Sequence, residues 1–123
     1  MLCRGTLYSP GLWGDFWLEF ERFEEVVQDE ILASLKVLEQ EGPNLGRPLV
    51  DTLNGSAYPN MKELRIRAGN GVWRIAFAFD PLWQAVILAA GNKAGLASRR
   101  FYNDLIRVAD RRYGRHLAAQ IPR

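Results

Sequence analysis

Lys62-Glu-Leu-Arg-Ile-Arg-Ala-Gly-Asn-Gly-Val-Trp-Arg-Ile-Ala-Phe-Ala-Phe79 is the stretch that decides the fold. It holds two alternating runs, Lys62–Arg67 and Val72–Phe79, around Ala68-Gly-Asn-Gly71, in which Asn70-Gly71 is a strong hairpin signal. Side chains alternate faces along a strand. Leu64 and Ile66 therefore point one way, and Glu63, Arg65 and Arg67 the other. On the second run Trp73, Ile75, Phe77 and Phe79 share one face, and Val72, Arg74, Ala76 and Ala78 the opposite one. An antiparallel register sets Arg74 opposite Arg67 or opposite Arg65, and both choices gather Leu64, Ile66, Trp73 and Ile75 in a core. A one-residue slip would drive Arg74 into that core and is excluded. Arg65, Arg67 and Arg74 are thus forced onto the non-core face, where like charges repel. Ala76 and Ala78 beside them leave the face shallow, so an open groove suited to forked contact with phosphate is expected there.

Outward from the hairpin, Asp80-Pro-Leu-Trp83 leads to a third run, Gln84–Ala90, that is apolar on both faces and so should be central or covered on both sides. Upstream, Asp15–Phe20 is short, aromatic and alternating, which predicts a strand. Phe23, Val27, Ile31, Leu35 and Leu38 then recur at helical spacing until Gly42-Pro43 stops them. Pro43 to Asn60 reads as a long ordered loop. Downstream, Ser98 is a candidate N-cap, Phe101, Leu105, Val108 and Ala109 form a buried helical stripe, and Gly114 is a candidate stop. The order predicts an α+β fold: one mostly antiparallel sheet, an N-terminal helical segment and a C-terminal helix. A single domain over residues 1–123 is expected, with 1–14 irregular.

Charge is split by position. Residues 1–60 carry four basic side chains against ten acidic, and residues 61–123 carry twelve against four. A basic half on a small chain is the electrostatic footprint of a polyanion-binding surface. Arg100, Arg107 and Arg111 lie near one line of the final helix and are candidate RNA contacts. The single cysteine, Cys3, excludes an intramolecular disulfide and a Cys-based metal cluster. No apolar run reaches the ~18–20 residues of a membrane span, and the first residues lack the pattern of a signal peptide; a cytoplasmic setting without membrane association follows. Gly69 and Gly71 join two strands and open no helix, so they form no phosphate loop. The single histidine, His116, lacks ligand-spaced neighbours, is expected to face solvent, and is kept as a possible proton-transfer group.

Four motifs in this order, Lys62–Arg67, Gly71-Val-Trp-Arg-Ile-Ala-Phe77, Ile87-Leu-Ala-Ala-Gly-Asn-Lys93 and Arg100-Phe-Tyr102, resemble the phage-derived HigB-like branch of the RelE/ParE toxin superfamily. The loop text Glu41–Arg47 and Leu53-Asn-Gly-Ser56 is similar to that branch as well, and the likeness runs from about Asp15 to Ala119. The resemblance implies a RelE-like toxin of a type II toxin–antitoxin pair that cuts mRNA on the ribosome. It implies attack of the RNA 2′-hydroxyl on the adjacent phosphate, with no metal or other cofactor. It implies a cognate helix-turn-helix, HigA-like antitoxin as partner. Carried over by position, Arg74 would stabilise transition-state charge, Arg65 and Lys93 would be the flanking cations, with Arg67 nearby, and Tyr102 would be the assisting tyrosine. Glu63 stands where the RelE pattern has a lysine, which leaves it either the proton-transfer role or that of neutralising an arginine. The same superfamily leaves two other readings open: a ParE-like inhibitor of gyrase without nuclease activity, and an inactive member serving as antitoxin partner or repressor component.

Overall fold

The computed structural model describes residues 14–120; the expected irregular N-terminal segment, Cys3 included, lies outside the described residues but for Gly14. Helix α1 (Phe16–Phe20) and helix α2 (Glu25–Glu41) come first, and a single 3₁₀ turn at Gly42–Asn44 follows. Strands β1 (Val50–Thr52), β2 (Met61–Ala68), β3 (Gly71–Phe79) and β4 (Ala85–Asn92) form one antiparallel sheet in the order β1-β2-β3-β4. Helix α3 (Ser98–Gln120) follows. The fold is α+β, as the element pattern predicts.

The hairpin takes the register that sets Arg65 opposite Arg74. Ala68 pairs with Gly71, so the two turn residues are Gly69 and Asn70 rather than Asn70 and Gly71. Gly69 sits at φ +58. A positive φ at the first central position is what a type II′ hairpin turn demands, and glycine meets it without steric cost.

Four expectations are corrected. Asp15–Phe20 is helical, not extended. Six residues of alternation are too few to separate the two periods, whereas Phe16, Phe20 and Phe23 fall at i, i+4 and i+7 and form an aromatic cluster with ring centroids 6.0–6.4 Å apart. The Pro43–Asn60 loop contains β1, whose Val50, Asp51 and Thr52 pair with Leu64, Glu63 and Lys62. Three residues between Pro48 and Asn54-Gly55 give too little pattern to read. Ser98 is the first helical residue of α3 rather than its cap, since Phe101 N donates to Ala97 O. Gly114 does not stop α3 either: the helix runs on to Gln120, and a Cβ at this glycine would stand 3.1 Å from Tyr58 Oη, so its role is to admit Tyr58 against Tyr113.

Both faces of the sheet are covered. Leu64, Ile66, Ile75, Phe77 and Ile87 pack on Phe16, Phe20, Val27, Ile31, Leu35 and Leu38 of α1 and α2. On the other face Met61, Ala76, Ala78, Val86, Leu88 and Ala89 pack on Phe101, Leu105, Ala109 and Tyr113 of α3. Strand β4 is thus covered on both sides, although it lies at the edge of the sheet. The second cluster overturns the shallow open face. Ala76 and Ala78 are fully buried, and their small side chains let α3 lie close to the sheet.

Polar ties fix α3 lengthwise. Near its C-terminal end, Asp80 accepts from Leu82 N and Gln84 N through Oδ1, while Oδ2 receives Gln120 Nε2 at 2.6 Å and meets His116 Nε2 at 2.9 Å. Midway, Asp110 takes Ser56 Oγ and Ala57 N, pinning the β1–β2 connection to the helix. Arg112 bonds the carbonyl of Leu88 at 2.8 Å, at a bulge in β4, and pairs with Glu19 of α1. Burial raises the Asp80 carboxyl, but the bonds from His116, Gln84, Gln120 and Leu82 outweigh it and hold the group below its ordinary value of 3.8. A depressed folded-state pKa contributes stability that is present above the ordinary value and lost as pH falls through the folded one. Asp80→Ala is therefore expected to cost about 3 kcal/mol at neutral pH. Urea unfolding of both proteins should show the gap narrowing only at pH below 3.8.

Candidate functional site

Strand parity puts Glu63, Arg65 and Arg67 of β2 and Arg74 of β3 on the face that α3 covers. The helix reaches only part of it. Arg65 and Arg67, beyond its start, are exposed, whereas Glu63 and Arg74 are each 7% exposed. Arg65, Arg67, Val72 and Arg74 line one groove of about 610 Å³, completed by Pro48, Leu49, Glu30 and Ser34.

A buried guanidinium needs a counter-charge and filled donors. The Arg74 side chain has the counter-charge, and two of its three nitrogens have acceptors. Its Nε donates to Tyr102 Oη at 3.2 Å and lies 3.6 Å from Glu63 Oε1; its Nη1 donates to Trp73 O at 3.1 Å. Tyr102, from the first turns of α3, donates its hydroxyl proton to Glu63 Oε1 at 2.8 Å. One carboxylate thus holds both the arginine and the tyrosine. Desolvation, then the hydrogen bond to Glu63, raises the Tyr102 pKa above 10.0, with the Arg74 bond pulling the other way. Tyr102 is a neutral phenol at physiological pH. Lys93, just past β4, hangs its Nζ 5.5 Å from the centroid of the Tyr102 ring.

The other sequence-derived candidates divide. Arg107 lines a second groove of about 470 Å³ with Tyr102, Asn54, Gly55, Ser98 and Arg99. Arg99 joins the tyrosine there and was not singled out by sequence; the signal was its position three residues before Tyr102, one helical turn away. Arg100 and Arg111 are exposed but line neither the Tyr102 groove nor the Arg74 groove; Arg100 instead borders a groove with Gly91, Phe101 and Arg112. Nor does His116 join the cluster. It is half-buried beside Asp80, at the opposite end of β3 from Arg74, which corrects the solvent-facing expectation. The missed feature of consequence is the burial of Arg74. The sequence showed the repulsion among three arginines but not that a helix would separate one of them from the other two.

Among the described residues no helix is long and apolar enough to cross a membrane, and no three His, Cys, Asp or Glu side chains are grouped to hold a metal ion. An antiparallel sheet between two helical layers, with exposed arginines beside a buried Arg–Glu pair and the half-buried Tyr102, defines a small α+β protein with a cationic groove at one end of its sheet. The chain belongs to the family described as phage derived protein Gp49-like, whose pattern matches residues 18–114. It is 53% identical over 89 residues to the Mycobacterium tuberculosis protein named "Putative toxin HigB2", a match that takes in 72% of this chain and 44% of that protein. It is 48% identical over 90 residues to "Putative toxin HigB3" of the same organism, taking in 73% of this chain and 76% of that protein. The chain therefore spans less than half the length of the first of these relatives and three quarters of the second. No solved structure matches it significantly.

Removing Arg74 strands the Glu63 carboxylate in a site 10% exposed at its side chain. Arg74→Ala is expected to cost about 3 kcal/mol, at the low end for a broken buried pair. Arg65→Ala, in the same groove but exposed, should fall within about 0.5 kcal/mol of wild type in the same urea titration.

Proposed function

We propose that the chain is the toxin of a type II toxin–antitoxin pair, acts in the cytoplasm, and cleaves mRNA on the ribosome. The names of its relatives and the motif resemblance support a toxin. The observation that carries the RNA reading is the groove in which exposed Arg65 and Arg67 flank buried Arg74 beside Tyr102. RNA brings its own nucleophile. The 2′-hydroxyl attacks the adjacent phosphate, the bond to the 5′-oxygen breaks, and a 2′,3′-cyclic phosphate and a 5′-hydroxyl result. The protein must hold the phosphate, stabilise its growing negative charge and move protons.

Arg65 and Arg67 supply forked donors to the phosphate, and Lys93 adds charge on the Tyr102 side. Arg74 acts from below. Its Nε and Nη1 are committed to protein partners, and Nη2 has none among the described residues. A preorganised donor of this kind contributes on the order of 10²–10³-fold when it meets charge that develops in the transition state. Tyr102 meets the reacting hydroxyl, and its ring offers a base a stacking surface. Arg107 with Arg99 extends the cationic track past Tyr102, and Arg100 and Arg111 contact RNA backbone elsewhere on α3. A HigA-like antitoxin with a helix-turn-helix domain is the proposed partner that blocks the toxin.

The test separates phosphate binding from folding. Induction of the wild-type chain alone should arrest growth and create new 5′ ends within translated regions by primer extension. The double variant Arg65→Glu/Arg67→Glu should abolish both while its thermal midpoint stays near wild type, because both side chains are exposed. Growth arrest undiminished in the double variant would contradict the groove assignment. Arrest by wild type without new 5′ ends would leave the gyrase-inhibitor reading standing.

A further inference from the structure

A tyrosine hydroxyl has one proton to give and two lone pairs to receive. In Tyr102 the proton goes inward, to Glu63 Oε1 at 2.8 Å, and one lone pair takes Arg74 Nε at 3.2 Å. What remains is a single lone pair, on a half-buried side chain that lines the second groove. A phenol held this way has no proton to offer a leaving group; it has room to accept one. It is not a free base either, because burial and the Glu63 bond keep it protonated well past neutral pH. The arrangement permits one kind of acid–base step: Tyr102 receives a proton on that lone pair while passing its own to Glu63.

We propose that Glu63 is the terminal proton acceptor for strand cleavage and that it acts through Tyr102. The proposal rests on the RNA-cleavage reading above. As the 2′-oxygen bonds to phosphorus, its proton moves to Tyr102 Oη and the phenolic proton moves to Glu63 Oε1. As the bond to the 5′-oxygen breaks, that oxygen takes a proton from solvent water. Glu63 afterwards returns its proton to solvent by the same route, and the protein is unchanged. Glu63 is a positioning residue in that it does not touch RNA. Arg74 keeps the pair in register: its Nε spans Tyr102 Oη and Glu63 Oε1, and its Nη1 is anchored on the Trp73 carbonyl. The charged and titratable groups around Glu63 are Arg74 from β3, Tyr102 from α3 with the Lys93 ammonium over its ring, Asp51 opposite it on β1, and Arg65 two residues along its own strand. A carboxylate at this position, where the resembled pattern has a lysine, is an acceptor rather than a donor.

The experiment uses ribosomes programmed with a short mRNA carrying either the normal phosphodiester at the cleaved linkage or a phosphorothiolate with sulfur in place of the 5′-oxygen. Sulfur leaves without protonation, so it rescues the loss of a general acid and not of a base. Single-turnover cleavage is followed across an acidic-to-alkaline pH series, with thermal unfolding of each variant alongside. Glu63→Gln retains an oxygen for Tyr102 to bond but a far weaker proton acceptor. It is expected to lower cleavage by about 10²–10⁴-fold and to erase the acidic limb of the profile, with mRNA binding unchanged. Tyr102→Phe should lower cleavage comparably, and the sulfur linkage should restore neither variant. The Tyr102→Phe arm stands independently if Glu63→Gln fails to fold. Wild-type rate and pH profile in Glu63→Gln would reduce Glu63 to a structural counter-ion and overturn the proposal. So would restoration of Tyr102→Phe by sulfur, which would make Tyr102 the acid. Wild-type protein that arrests growth yet leaves the normal linkage intact would sink the RNA-cleavage reading itself, a result distinct from the other two.

Discussion

Burying the Arg74 guanidinium is the constraint around which this structure is arranged. Hairpin parity allows two faces for that side chain. One is the apolar core under α2; the other lies under α3. The second is tolerable because Glu63 stands on the neighbouring strand and Tyr102 arrives from the helix, together supplying the counter-charge and an acceptor. The helix in turn sits where it does because Ala76 and Ala78 let it come close, and because Asp80, Asp110 and Arg112 tie it to three other segments. A helix fixed at so many points along its length has no freedom to slide. Tyr102 is therefore held over Glu63 by contacts made far from it.

Much of this was legible in the sequence. Alternation along β2 and β3 fixed which residues share a face, and the excluded slip left the observed register as one of two. The both-sided apolarity of Ala85–Ala90 foretold a covered strand. What escaped reading was short or nonlocal. Strand β1 has three residues and helix α1 has five, too few for either period to assert itself. The covering of the arginine face by α3 is a tertiary fact, yet its ingredients were visible: a buried stripe on the last helix needs an apolar surface, and Met61, Ala76, Ala78, Val86 and Leu88 form the other side of the sheet. Strand parity treats Arg65, Arg67 and Arg74 alike, so only the packing of α3 distinguishes the buried one from the other two.

The charge asymmetry has a more specific meaning in the folded chain. Part of the basic half is spent internally: Arg74 on Glu63, Arg112 on Glu19 and Arg115 on Asp15. The last two ion pairs stitch the basic C-terminal helix to the acidic N-terminal segment, so the split along the sequence is partly annulled in space. What remains for a polyanion is the exposed set of Arg65, Arg67, Arg99 and Arg107 around the groove end, with Arg100 and Arg111 elsewhere on α3. On the proposed function, capture and chemistry thus fall to different groups: exposed cations draw a phosphate in, and the Arg74–Glu63 pair with Tyr102 lies beneath it.

The central claim is that Glu63, Arg74 and Tyr102 behave as one coupled unit. A double-mutant cycle in stability tests it most directly: urea unfolding free energies of wild type, Glu63→Gln, Tyr102→Phe and the combined variant. Residues that share a hydrogen-bond network depart from additivity, and the account predicts a coupling of about 1 kcal/mol or more between these two. Losses that add to within about 0.3 kcal/mol would contradict it, because they would mean that the helix and the hairpin hold their polar groups independently.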